Sequence, residues 1–172
     1  MWVTRIELMG PATSFRYPHF LVGRQPTFDL PPPATLYGHV ASALGDLPDP
    51  TRLKIGYQFT CQGRGDDLEH TWILTPHSTS LQPTVRELLF EISMVLYVAY
   101  DGEDLTPYFR TPRYPVLLGR SQDLVSYRRV ERVALEMSSR AYYQDTLLPY
   151  SLRERVPIGI AMVLPRYIDA AS

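Results

Sequence analysis

Three consecutive prolines, Pro31-Pro32-Pro33, constrain this chain more than any other feature. Proline has a fixed φ and no backbone N–H, so neither a helix interior nor a sheet ladder runs through such a triplet. The run therefore separates two kinds of structure. Behind it, Leu36, Val40, Ala43 and Leu44 recur at helical spacing, proline stands where a helix start tolerates it, and Gly45 suits a helix end. The spacing predicts a helix over 34–45, with Gly38, Ala41 and Ser42 small enough for close packing on a sheet. Ahead of the run, residues 1–9 alternate, which predicts a half-buried strand ended by Gly10-Pro11. Residues 10–33 read as a long polar and aromatic loop, a length that is usually functional.

Downstream, residues 52–61 alternate through Ile55, Tyr57, Phe59 and Cys61, and residues 70–76 resume with Thr71, Trp72, Ile73 and Leu74. Gln62-Gly63-Arg64-Gly65-Asp66-Asp67 between them has the composition of a turn, which predicts a β-hairpin with Arg64 at its tip. Residues 77–84 read as a loop and 88–100 as a strand. A short helix is expected from Glu103 to Phe109, cut off by Pro112, then a short buried strand over 114–118 broken at Gly119. Further strands are expected over 126–137 and 158–164, with 138–157 irregular. The succession strand, helix, strand, strand, helix, strand predicts an α+β fold with a ferredoxin-like antiparallel sheet. The RNA-recognition motif is one use of that fold, and the fold alone assigns no function.

The chain has 172 residues, 45% hydrophobic and 20% charged, enough apolar material for a core in one domain with at most a small appendage. The single cysteine, Cys61, excludes an internal disulfide and a cysteine-based zinc site, and is expected as a small buried strand residue. No signal-like segment and no apolar run of membrane-spanning length is present, so a soluble cytoplasmic protein without membrane contact is expected. The net charge of −1 argues against a general nucleic-acid glue. Among 17 cationic side chains, however, Lys54 is the only lysine. A guanidinium offers a planar fork and a stacking face, suited to phosphates and unstacked bases. Coding composition explains such a bias equally well, so position matters more than number.

No metalloprotease, nucleophile-elbow or phosphate-loop motif occurs, and His19, His39, His70 and His77 show no metal-ligand spacing. No cofactor is expected. A metal-free ribonuclease assembled from distant segments would leave no linear signature. Binding has more support. Phe15-Arg16-Tyr17, followed by Arg24 and Thr27, interleaves cations with aromatics, as do Tyr108, Phe109, Arg110, Arg113 and Tyr114. Gly119-Arg120-Ser121 follows an expected strand, where a glycine lets phosphate approach backbone N–H groups. Arg128, Arg129 and Arg132 form a third group. Such mixtures suit single-stranded RNA.

Three segments together resemble a known family: Ser14-Phe15-Arg16, then the run from Pro31 through Thr35-Leu36-Tyr37-Gly38 to Gly45, then Tyr114-Pro115-Val116-Leu117-Leu118-Gly119-Arg120-Ser121 with Asp123 and Leu124. The chain resembles the RAMP-superfamily Cascade subunit of CRISPR systems of the Cas-five type, and Leu164-Pro165 extends the likeness over most of its length. The resemblance implies a RAMP domain over 1–125, a β-hairpin thumb, and a reduced C-terminal β extension over 126–172. It implies a structural, non-enzymatic subunit of a type I surveillance complex that caps the 5′ handle of the guide RNA (crRNA). The implied partners are that handle, the Cascade backbone subunit, the Cascade large subunit and target DNA near the PAM. The RNA-binding residues implied or suggested by composition are Ser14, Phe15, Arg16, Tyr17, Arg24, Thr35, Tyr37, Arg64, Arg113, Gly119, Arg120 and Ser121. One branch of the family cleaves its precursor RNA without metal, which is the alternative activity, but that branch's tyrosine, lysine and histidine set finds no match here.

Overall fold

A computed structural model describes residues 1–20, 23–156 and 158–167. Its elements are β1 (Trp2–Thr13), β2 (Arg24–Gln25), α1 (Pro33–Leu44), β3 (Leu53–Thr60), β4 (Gly63–Thr75), β5 (Ser78–Tyr100), α2 (Thr106–Arg110) and β6 (Ser126–Ala134), then a 3₁₀ turn at Tyr150–Arg155. The result is a small α+β fold with one mixed sheet and few helices. The long strand β5 is its spine. β1 pairs antiparallel with β5 from Thr4↔Val98 to Thr13↔Leu89, and β3 takes the other side from Leu53↔Tyr100 to Thr60↔Ser93. β6 adds outside β1, antiparallel, and β2 adds parallel to β5 at Arg24↔Val85.

Period-two alternation decides which face is buried. Ile6 and Leu8 of β1 stand across from Leu96 and Met94 of β5, which stand across from Tyr57 and Phe59 of β3. These side chains meet Leu36, Val40 and Ala43 of α1, and Leu105 and Phe109 at α2. Each such large apolar side chain contributes roughly 1.5–3 kcal/mol by leaving water. α1 begins with Pro33 in its first turn and ends at Gly45, whose φ of 82° permits its N–H to reach the Ala41 carbonyl at 2.8 Å.

Several expectations are corrected. β1 does not stop at Gly10-Pro11 but runs to Thr13; β6 pairs only as far as Met9, so Pro11 lies on a one-sided stretch where a missing N–H is tolerated. The segment around Arg64 is not a turn. β4 pairs β5 from Gly63↔Phe90 to Thr75↔Ser78, and the ribbon reverses at Pro76 and His77. Arg64 thus lies at the base of the hairpin, not its tip. Gly65 serves close approach, since a Cβ there would stand 3.2 Å from the Phe90 ring. Cys61, between β3 and β4, is exposed. Residues 114–118 form no strand, only the bridge Leu117↔Leu124, and no strand occurs over 158–164. β6 is a strand of the main sheet, next to β1. Among the described residues no helix is long and apolar enough to cross a membrane.

Candidate nucleic-acid interface

β1 ends where a tight loop packs against it. Leu118 N–H donates to the Asp123 carbonyl at 3.0 Å and Asp123 N–H to the Arg120 carbonyl at 3.1 Å, closing a compact turn over 118–123. Gly119 holds φ 100° there, and a Cβ would stand 2.4 Å from Thr13 Oγ1 and 2.9 Å from the Ser14 carbonyl oxygen. Only glycine fits this approach.

Asp123, 4% exposed, organises the junction. Its carboxylate accepts from Ser14 N–H at 3.2 Å and Arg120 N–H at 3.0 Å, and takes the Arg120 guanidinium through Nε and through Nη2 at 2.7 Å. Arg120 Nη1 bonds Glu69 of β4, which also holds Arg86 at 2.7 Å. Arg120 therefore ties the loop to the middle of β4, and its side-chain donors face carboxylates. Sequence reasoning missed Asp123 and Glu69; the Arg120/Asp123 spacing of three was the only local sign.

The other expected residues sort by environment. Ser14 and Phe15 are buried; Phe15 is core, edge-on to Phe59 at 5.4 Å, whereas the buried Ser14 Oγ has no hydrogen-bond partner among the described residues. Arg16 is exposed, bridges Thr27 through its backbone and carries no ion pair among the described residues. Tyr17 stacks on Phe28 at 3.6 Å. Arg24 pairs with Asp66, and Arg64 with Asp29 and Glu87. Thr35 N–H donates to the Pro32 carbonyl, and Tyr37 OH donates to the Pro48 carbonyl at 2.7 Å. Arg113 is exposed, with its stem against Gly45, and Ser121 is exposed. The structure thus brings Ser14 against Gly119 and Asp123 and collects Arg24 and Arg64 along the hairpin base. Thr35 and Tyr37 are part of α1, and Arg113 lies beside its C-terminal end.

Two further features bear on chemistry. His39, 5% exposed, donates Nδ1–H to the Leu117 carbonyl at 2.7 Å and accepts the Tyr127 hydroxyl on Nε2 at 2.9 Å. Burial pushes its pKa down, so the ring is a neutral brace between α1, the 117 loop and β6. The β4–β5 ribbon, in turn, has an apolar stretch without Asp, Glu, Lys or Arg on one face, outward of Arg64, Asp66 and Glu87. Leu68↔Val85, His70↔Pro83, Trp72↔Leu81 and Leu74↔Thr79 share it, with Trp72 63% and Leu74 75% exposed.

No family model and no curated protein matches this sequence. Solved structures similar to it do occur. A chain of a CRISPR RNA-guided surveillance complex aligns with 74% of this chain and 61% of its own length, at 20% identity and a TM-score of 0.60. A Cas protein aligns with 72% of this chain and 59% of its own, at 21% identity and a TM-score of 0.43. This chain spans less than two thirds of the length of either. The first alignment shows that the fold described above is one that a CRISPR RNA-guided surveillance complex uses.

Proposed function

We propose that this chain is a structural, guide-RNA-binding subunit of a type I CRISPR surveillance complex, of the RAMP Cas-five type, that caps the 5′ handle and performs no catalysis. The long strands lie in the order β6-β1-β5-β3, all antiparallel, with α1 joining β1 to β3 and α2 joining β5 to β6. That order supports a ferredoxin-like RAMP domain, and its likeness to a surveillance-complex chain supports the setting.

The observation that carries the RNA-binding reading is the junction of the 13–16 and 118–123 segments. A glycine at φ 100° packs there against the Ser14 backbone, the buried Ser14 hydroxyl has no partner among the described residues, and two residues on Arg16 is exposed and carries no ion pair among them. Donors left over at a braced loop suit a phosphate. The outer stretch of that ribbon face, from Leu68 to Leu74, suits a protein neighbour, the backbone or large subunit, better than it suits RNA, because it offers no lysine or arginine to a phosphate chain. Contact with target DNA near the PAM belongs to the assembled complex. The non-catalytic reading is supported by His39, which is buried and engaged on both ring nitrogens.

The test is reconstitution with the neighbouring gene products and a repeat-spacer guide. The expected result is a complex holding this chain and an intact 5′ handle, from which Arg16→Ala releases the handle. Defined scission of repeat RNA by the purified chain in chelator would replace this reading with the endoribonuclease.

A further inference from the structure

The sheet has a second face, away from α1 and α2. Arg5, Tyr97 and Gly56 stand side by side on it, one from each of β1, β5 and β3. Gly56 leaves its floor open: a Cβ there would meet nothing within 4 Å. The segment after β6 returns over this face and is fastened to the sheet edge by Phe59 N–H donating to the Asp145 carbonyl at 2.9 Å, with Leu147 packed against the core. Between this arm and the sheet runs a groove of about 520 Å³, whose walls include Lys54, Gln58, Tyr97, Tyr142 and Tyr143.

Its chemistry is one-sided. No aspartate or glutamate lines it, while Lys54, the only lysine of the chain, does and carries no ion pair among the described residues. Carboxylates about it are already held: Asp101 in the adjoining cleft by Arg52 at 2.6 Å, and Glu7 and Glu131 by Arg5, beside Tyr97, at 2.6 and 2.9 Å. A volume in the small-ligand range, aromatic rings, amide edges and one free cation form the set that takes a base by stacking and its phosphate by charge.

We propose that this groove holds one unstacked nucleotide of single-stranded RNA, its base against Tyr97, Tyr142 or Tyr143 and its phosphate at Lys54. The site lies at the Met1 end of β1, whereas the Gly119 junction lies at the Thr13 end, so the two sites would fix separate points on one strand. The inference rests on the reading of this chain as an RNA-binding subunit.

The experiment is photo-crosslinking in the assembled complex with guide RNA carrying 4-thiouridine at successive positions, read by mass spectrometry of nucleotide-bearing peptides. The expected result is an adduct on Tyr97, Tyr142 or Tyr143, besides any at the 13–16 or 118–123 segments. Gly56→Val, which fills the floor with a strand-favouring side chain, and Tyr143→Ala should each cut the groove adduct about tenfold, the scale of one lost stack, and leave the junction adducts unchanged. Lys54→Ala should act in the same direction, with Lys54→Arg retaining most of the signal. Adducts only at the junction overturn the groove and leave the guide-binding reading standing. Release of a protein subunit by Gly56→Val, with RNA adducts unaltered, assigns the groove to a protein segment and also overturns it. An assembled complex with no RNA adduct anywhere on this chain removes both readings.

Discussion

The carboxylate of Asp123 accepts the backbone N–H of Ser14 at 3.2 Å across 109 residues of sequence. With the Arg120 guanidinium closing on the same carboxylate at 2.7 Å, the end of β1 and the 118–123 loop are locked together. Removing one partner of a buried charge pair leaves the other uncompensated, at about 3 kcal/mol. Asp123→Ala is expected to lower unfolding stability by that order in urea titrations. Arg120→Ala is expected to cost a similar amount, because it strips the guanidinium from a carboxylate that is almost fully buried and leaves it only its backbone donors, whereas Arg120 without Asp123 still has Glu69.

Gly119→Ala is expected to destabilise by roughly 2 kcal/mol or more. The substitution is strained twice, by its φ of 100° and by a Cβ placed 2.4 Å from Thr13 Oγ1. Denaturant midpoints at unchanged m-value check it. An alanine variant with wild-type stability contradicts the packed loop.

The helix and the main strands are legible in the sequence because burial leaves a period. Pro33, the Leu36/Val40 spacing and Gly45 bracket α1 to within a residue, and Tyr57 and Phe59 mark the inner face of β3. The ribbon over 63–90 leaves little such trace. Nearly every residue of β4 is exposed, so no alternation is imposed by a core, and its glycines and aspartates carry the composition of a turn. The real turn at Pro76-His77 falls where the expected strand over 70–76 meets the stretch 77–84 that reads as a loop, and that stretch is in fact paired. Asp123 is equally silent: a lone acid after Gly-Arg-Ser reads as surface until the fold brings Ser14 to it.

His39 makes stability depend on pH. Its folded-state pKa lies below the ordinary value because burial penalises the cation. The unfolded chain, with a histidine pKa of about 6.5, therefore binds more protons in the acid range. The contribution of neutral His39 is fully present above about pH 6.5 and is lost as pH falls below it, with a slope of at most ~1.4 kcal/mol per pH unit. His39→Gln, which keeps an amide donor and acceptor but does not titrate, should flatten stability between about pH 5 and 6.5. An unchanged slope refutes the assignment.

Ser14→Ala and Arg16→Ala separate folding from binding. The Ser14 hydroxyl is buried without a partner, so deleting it relieves a cost of about 1 kcal/mol and should leave stability equal or slightly higher. Arg16 is exposed and carries no ion pair among the described residues, and its loss should change stability by less than ~0.5 kcal/mol. If both groups serve RNA, both variants lose guide retention while remaining folded. Arg16→Ala should also reduce the log–log salt slope by about 0.7, the single-strand value for one phosphate.

The ribbon face yields the last prediction. Trp72 and Leu74 stand two residues apart on β4 with Leu81 and Thr79 across from them, all within the uncharged stretch of one side. The opposite side carries Glu69, Thr71 and Gln82, and it is Glu69 that reaches back to Arg120. That side meets the body of the protein at Glu69; farther out both sides are exposed, Thr71, Ile73 and Ser80 on one and Trp72 and Leu74 on the other. A two-stranded ribbon is marginal in water and an apolar face on it is a hazard until covered. Trp72→Ser with Leu74→Ser removes the hazard and touches nothing buried. The pair should leave unfolding stability within ~0.5 kcal/mol, raise the solubility of the isolated chain, and weaken its hold on a protein subunit in the reconstituted complex. Thr71→Ala with Ser80→Ala, on the opposite side, should do neither. Equal complex yield from both pairs, measured by quantitative mass spectrometry of subunit ratios, means that the Trp72 and Leu74 face covers no protein neighbour. Loss of guide RNA with all protein subunits retained means that it stacks bases instead.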